Sequence, residues 1–276
     1  MAASPINAYV VCSTQRSGST YLCRLLADTE LAGNPQEYFE ATAETGLPPR
    51  PGFFLAGLPR LGVGIRSDPR PADAPDYSNL RLVDGWLAHL ERTFQLGTTA
   101  NGVFATKLMW NQLAEVEQHA RAVPGLDGRA GADLLDELFG GPSYVWVRRR
   151  DKVRQAISLW RAIQTRIWLL ERSSDADSSV ALRYSFAAID HLRRRLTVDD
   201  EAWGRFFAVA GINPLELCYE DDVERDPADA VSRVFAHVGI DSSPSSMPRT
   251  SMVRQSDDLS NAWQAAYDRD AAHVIV

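Results

Sequence analysis

The chain has 276 residues, 45% of them apolar, which is enough to bury one substantial core; a single domain across residues 1–276 is expected. With 29 basic against 36 acidic side chains the net charge is −7, which excludes general nucleic-acid affinity, since that depends on many cationic contacts to phosphate. Cationic groups in any binding site must therefore be local. The three cysteines, Cys12, Cys23 and Cys218, are odd in number and widely spaced. They fit reduced thiols in the cytoplasm, and no pair has the spacing of metal ligands, so no metal is expected. The N-terminal run MAASPINAYVV has no basic stretch ahead of a long apolar one, so neither a signal peptide nor a membrane span is expected.

The segment Ala8 to Asp28, AYVVCSTQRSGSTYLCRLLAD, organises the rest. Tyr9, Val10, Val11 and Cys12 form an apolar, β-branched run that predicts a buried parallel strand. Tyr21, Leu22, Leu25 and Leu26 recur at helical spacing. Between them, Ser13-Thr14-Gln15-Arg16-Ser17-Gly18-Ser19-Thr20 predicts a strand-to-helix turn rich in hydroxyls. The first N–H groups of a helix lack intrahelical partners and its N-terminus is partly positive, so this turn is suited to an anion. Ser17, Ser19 and Thr20 add hydroxyl donors, Gly18 permits close backbone approach and Arg16 brings a fixed positive fork. A nucleoside-triphosphatase loop reads GxxxxGK[ST]; one glycine, no lysine and an arginine before the serine point instead to a phosphate-like group held without a metal. A serine-rich helix cap is the alternative for this segment alone.

After Gly33-Asn34-Pro35, Gln36-Glu37-Tyr38-Phe39 sets a carboxylate beyond a second, short βα turn, near the edge where open α/β sheets bind ligands. A solvated turn carboxylate is the alternative for Glu37. Residues 45–79 are rich in Pro, Gly, Arg and Asp, and are expected to form a lid or substrate loop, or a mobile insertion. Leu80 to Phe94 returns to helical spacing. Val103 to Trp110 predicts a buried strand in which Lys107 either snorkels at the end or faces a ligand. Short helices are expected at Asn111–Arg121 and Ala132–Phe139. Tyr144 to Val147 is another buried strand, ending in Arg148-Arg149-Arg150. Helical additions are expected over 151–212: one helix from Asp151 to about Glu171, a second at Val180–Leu196 and a third at Asp199–Ala210. A last strand is expected at Pro214–Tyr219, then a helix at Pro227–Val238 with Asp226 as N-cap and Gly239 as stop, and a weak helix at Ser260–Asp270. Strands alternating with helices define the fold class as α/β, a parallel central sheet flanked by helices on both faces.

Arg150 and Ser158 lie eight residues apart, at a strand end and two turns into the next helix, where they can converge on one tetrahedral anion. A solvated basic turn and an ordinary surface serine are the alternative. Two anion sites at adjacent strand ends suit a nucleotide with two separate phosphate groups.

These runs resemble a known family. Gln15-Arg16-Ser17-Gly18-Ser19-Thr20 is similar to the 5′-phosphosulfate loop of sulfotransferases, and Arg150…Ser158 to their 3′-phosphate motif. The nearest likeness is to the bacterial trehalose 2-sulfotransferase family, whose runs SQRSGST, GEPQEFF, KLMWNQ and QAVSFWRA correspond here to STQRSGST, GNPQEYF, KLMWNQ and QAISLWRA. The resemblance implies a P-loop-like nucleotide-binding sulfotransferase fold. It implies 3′-phosphoadenosine-5′-phosphosulfate (PAPS) as donor, a sugar or glycolipid hydroxyl as acceptor, trehalose foremost, and a homodimer. It implies Glu37 as general base, Tyr219 near the adenine, and Arg254 with Gln255 closing over the 3′-phosphate. Asn34 replaces a glutamate of the family's run, which alters one polar contact to the sugar.

In-line passage of a sulfuryl group from a phosphate oxygen to an alcohol oxygen develops charge on the leaving oxygen, which Arg16 and the amides from Ser17 to Thr20 are placed to meet, with Lys107 as a helper. The acceptor must lose a proton, for which Glu37 is the candidate base. Asn111, Arg161 and Arg166 are candidates for sugar contacts, each with a structural alternative, and the five histidines lie away from these motifs. Two other functions remain open at this point. A metal-dependent kinase would need a loop lysine and a Mg²⁺-binding aspartate at a strand end. A nucleotide-binding protein without sulfotransfer would keep the cradle and lack turnover.

Overall fold

The computed structural model describes residues 7–40, 54–56, 58, 85–165, 167–168, 181–241 and 258–274. In chain order its elements are β1 (Asn7–Ser13), α1 (Ser19–Ala27), α2 (Trp86–Gly97), β2 (Val103–Met109), α3 (Trp110–Ala120), α4 (Gly131–Phe139), β3 (Ser143–Arg148), α5 (Lys152–Thr165), α6 (Phe186–Ala210), β4 (Leu215–Cys218), a π turn (Tyr219–Val223), α7 (Pro227–Val238) and α8 (Asp258–Val274). The described residues fall into two compact units, one drawn from 1–48, 77–150 and 199–250, the other from 49–76, 151–198 and 251–276.

The first unit is built on a parallel sheet in the order β2-β1-β3-β4. Its four strands begin where the apolar runs near Ala8, Val103, Tyr144 and Leu215 place them. Alternation along each strand divides the core in two, because successive side chains point to opposite faces. Val10, Cys12, Phe104, Leu108, Tyr144 and Trp146 pack under α2, α3, α4 and the Trp203–Phe207 turn of α6. Tyr9, Val11, Val103, Ala105, Val145 and Leu217 pack under α1 and α7. The fold is thus α/β, with a parallel sheet covered on both faces. α7 starts as its sequence dictates: the Asp226 side chain accepts the Asp229 N–H, Pro227 follows at the first helical position, and Gly239 ends the helix at φ +79°.

The second unit packs α5 against α8 and the residues of α6 up to Val198, around Ile157, Trp160, Ile163, Leu192, Trp263 and Tyr267. Asp151 accepts the Arg154 N–H at 2.9 Å and so opens α5. The helix closes at Thr165, earlier than the expected Glu171, where the Thr165 hydroxyl both donates to the Arg161 carbonyl and accepts the Ile167 N–H. Two separate helices expected at 180–196 and 199–210 are one continuous helix, α6, opened by Ser185, whose side chain accepts the Ala188 N–H at 3.3 Å. The residues between the two expected helices, Thr197-Val198, and Asp199-Asp200 at the start of the second, lie inside α6. The Thr197 hydroxyl turns back to the Arg193 carbonyl at 2.9 Å and Asp200 accepts from Arg148 at 3.2 Å, so neither pair frees the backbone to leave the helix. Apart from residues 54–56 and 58, the 45–79 segment lies outside the described residues, as do Arg166, Arg254 and Gln255.

Candidate functional site

In the first unit the chain leaves β1 toward β2 on one side and returns to β3 on the other. The carboxyl end of β1 is therefore the point where strand order reverses, and in open α/β sheets that is where a crevice forms. The hydroxyl-rich turn sits there. Ser13, Thr14 and Ser17 are fully buried and Ser19 nearly so. The Ser17 N–H donates to the Thr14 carbonyl at 3.3 Å and the Ser13 hydroxyl to that of Ser19 at 3.0 Å. Arg16 has φ +61° and Gly18 φ +88°, whereas Ser17 between them does not. Two left-handed residues flanking one of negative φ bend the loop sharply, the setting in which backbone anion nests form. Gly18, the N-cap of α1, has no side chain to cap it, and the Ser19 N–H donates to the Ser17 hydroxyl at 3.4 Å, so that hydroxyl lies at the helix start, where N–H groups lack intrahelical partners.

The far wall comes from the ends of β3 and β4. A Cβ on Gly18 would stand 2.1 Å from the Tyr219 ring, so only glycine lets that ring lie against the loop. The Arg149 guanidinium lies 5.2 Å from the same ring, donates to the Arg16 carbonyl at 3.1 Å and stands 3.6 Å from Glu220. It ties the left-handed loop residue to the π turn. Arg150 donates its backbone N–H to Glu220 at 3.0 Å and its guanidinium is paired with Asp221. That pair is exposed, and it pushes the Arg150 pKa further up.

The near wall carries a buried charge pair. Gln36 bridges to Thr106 at the outer side of β2, and its carbonyl accepts the Lys107 N–H at 2.9 Å. This one-residue extension of the sheet sets Glu37 beside the end of β2. Lys107 Nζ lies 2.6 Å from Glu37 Oε1 and donates to Thr20 Oγ1 at 2.7 Å, with side chains 4% and 19% exposed for Lys107 and Glu37. Burial alone would lower the Lys107 pKa, but the Glu37 carboxylate outweighs it and the net direction is up. Gln112 completes the arrangement. Its Oε1 accepts the Met109 N–H at 2.9 Å at the start of α3, and its Nε2 donates to Glu37 Oε2 at 3.1 Å. Gln15 Nε2 donates to Asn111 Oδ1 at 2.5 Å, joining the loop to the same helix start.

Of the residues singled out from the sequence, the first unit gathers Gln15, Arg16, Ser17, Gly18, Ser19, Thr20, Glu37, Lys107 and Asn111 around one loop, with Tyr219 and Arg150 on the opposite wall. For Lys107, the snorkelling alternative gives way to a buried ammonium turned toward Thr20 and Glu37. Ser158 and Arg161 belong to the second unit, on α5, where Arg161 donates to Ser260 on α8 at 2.7 Å. Gln112 and Arg149 were not singled out. Gln112 stands beside Asn111 in KLMWNQ at the third position of α3, where a glutamine reaches back to a helix start; the signal was obscured because the residue before the helix is Met109 rather than serine or threonine. Arg149 was hidden in a run of three arginines, of which only the geometry separates the roles.

The loop, the charge pair and the π turn lie together at one end of the sheet, with the Glu37 carboxylate beside them, and the chain as a whole has relatives of known name. Two curated proteins align along nearly their whole length. The trehalose 2-sulfotransferase of Mycobacterium tuberculosis (strain ATCC 35801 / TMC 107 / Erdman) is 34% identical over 270 residues, 98% of this chain and 97% of that protein. The trehalose 2-sulfotransferase of Mycolicibacterium smegmatis (strain ATCC 700084 / mc(2)155) is 32% identical over 265 residues, 96% of this chain and 95% of its own. The profile of the Stf0 sulphotransferases matches residues 8–270, and the chain belongs to that family of sulfotransferases.

Proposed function

We propose that this enzyme transfers a sulfuryl group from PAPS to a hydroxyl of trehalose or a trehalose-containing glycolipid, with Glu37 as the general base. The donor supplies the activated sulfuryl group and leaves as the 3′,5′-bisphosphate. The residues present fit it: the start of α1 with its buried hydroxyls and Arg16 suits the 5′-phosphosulfate, and Arg150 suits a second phosphate. As the acceptor oxygen bonds to sulfur, its proton passes to Glu37. The bond from sulfur to the bridging oxygen breaks, and the electron pair stays on the departing phosphate, where the loop donors and the Lys107 ammonium meet the charge.

The observation that carries this reading is the short path from carboxylate to cradle: a single ammonium, Lys107 Nζ, touches both Glu37 at 2.6 Å and Thr20 at 2.7 Å. The carboxylate thus stands one side chain from the loop that grips the anion. The relatives act on trehalose by their names, which makes it the first acceptor to try. Transfer of labelled sulfate from PAPS onto trehalose, glucose and trehalose glycolipids is expected to favour the trehalose compounds. Glu37→Gln is expected to cut turnover by about 10²–10⁴-fold while leaving affinity for the 3′,5′-bisphosphate near normal. Near-normal turnover by that variant would overturn the base assignment. A homodimer in the cytoplasm belongs to the same proposal, on the family likeness, and sedimentation of the purified enzyme tests the dimer.

A further inference from the structure

We propose that Gln112 is a positioning residue for the reaction: its side-chain amide holds the Glu37 carboxyl group in one orientation, so that the base is in place before the acceptor arrives. The inference rests on Glu37 being the base.

The orientation of the amide is forced. Gln112 is 2% exposed, and at one end it meets the Met109 backbone N–H, which can only donate, so the oxygen must lie there at 2.9 Å. The nitrogen is then left for Glu37 Oε2 at 3.1 Å. Lys107 holds the other oxygen at 2.6 Å. With one donor on each oxygen the plane of the carboxylate is fixed, and each oxygen keeps a further lone-pair site for the acceptor's proton. The titratable groups acting on this pair are Lys107 on β2, Cys23 on α1, whose thiol burial pushes up to about 12, and Glu40 three residues on from Glu37. None of them replaces the amide as a donor to Oε2.

A substitution can remove the donor while keeping the cap. In Gln112→Glu one carboxylate oxygen still accepts the Met109 N–H, but the other faces Glu37, and two carboxylates about 3 Å apart share one proton. The expected result is a kcat lowered about 10–100-fold, a KM for PAPS within about twofold of the parent, and an acidic limb of the kcat–pH profile moved up by about one pH unit or more. The exchanged pair, Glu37→Gln with Gln112→Glu, reverses the bond between the two side chains and keeps the other two: the new amide accepts from Lys107 and donates to the new carboxylate, which still accepts the Met109 N–H. It is expected to recover the melting temperature lost by Gln112→Glu, yet turn over no faster than Glu37→Gln, because the carboxylate now stands at the wrong place. Loss of activity in Gln112→Glu with the acidic limb unmoved would overturn the proposal, leaving only a structural role. So would an exchanged pair that fails to regain stability, and that measurement decides the matter if Gln112→Glu alone does not fold. If Glu37→Gln by itself retains turnover, it is the base assignment that fails, and the positioning role falls with it.

Discussion

Lys107 lies in the middle of β2 with every neighbouring side chain of the strand buried, a place where an ammonium without a partner would lose its proton. Glu37 reverses that, and the price in stability of losing either member follows from it. Removing one partner of a buried pair leaves the other charge uncompensated, which costs about 3–5 kcal/mol. Lys107→Met is therefore expected to lower the free energy of unfolding by about 3 kcal/mol in urea titrations at pH 7, and adding Glu37→Gln is expected to restore much of the loss. Because the folded pKa of Lys107 is raised above its ordinary 10.5, its contribution is fully present below pH 10.5 and fades only as the pH climbs through the raised value. Between pH 7 and 9 the difference between parent and Lys107→Met should stay flat. A gap that closes in that window would mean that Lys107 is not held by Glu37. At this scale the sequence was legible in kind but not in pairing. A lone charge in an apolar strand and a carboxylate after Pro-Gln both stood out, 70 residues apart, but the bridge of Gln36 to Thr106 that joins them is a tertiary contact with no local signal.

Elements were most legible where local rules and tertiary context agree. β1, the loop and α1 follow from an apolar run, a hydroxyl-rich turn with one glycine, and a leucine stripe, and α7 from its cap, proline and stop. The positive φ of Arg16 has no such signal, since arginine does not favour the left-handed region; it is held from outside by Arg149. α6 shows the opposite case, a local break overridden by anchors. One of these matters to the cradle: Trp203 is fully buried, its Nε1 donates to the Ser13 carbonyl at 2.9 Å, and its ring meets Trp110 edge-on at 5.1 Å. Trp203 thus fastens the last residue of β1, where the loop begins. Trp203→Phe keeps most of the apolar volume and leaves that buried carbonyl without its donor, which costs about 1–3 kcal/mol. The expected outcome is a lower urea midpoint together with weaker 3′,5′-bisphosphate binding by calorimetry. Unchanged binding alongside lost stability would show that the anchor supports the core and not the loop.

For the whole molecule, the parallel sheet was readable because strands buried on both faces are near-continuous apolar runs, four of which punctuate the chain. Helical additions were expected from 151, where one boundary between the two compact units falls; the other, Val198–Asp199, is marked by no composition change and lies inside the continuous α6. Among the described residues no helix is long and apolar enough to cross a membrane, and no group of three or more acidic, histidine or cysteine side chains is arranged to hold a metal ion. The chemistry of the loop bears on what it grips. An acidic molecule of net charge −7 attracts no anion by its overall field, so affinity must come from the local donors: loop amides, buried hydroxyls and a few arginines. A nucleoside triphosphate brings its charge in one contiguous chain and normally relies on a loop lysine and Mg²⁺ to balance it, and the turn from Ser13 to Thr20 carries no lysine. A 3′,5′-bisphosphate divides its charge between two ends, which suits Arg16 with the loop amides at one and Arg150 at the other. At about 100 times its dissociation constant it is expected to stabilise the fold by about 2.7 kcal/mol, seen as a rise in melting temperature of roughly 5–10 °C. The rise should be the same with EDTA as with Mg²⁺ and should shrink as salt is added. ATP at equal concentration should give little shift in either buffer; a Mg²⁺-dependent shift with ATP that matches or exceeds the bisphosphate's would return the kinase reading to first place.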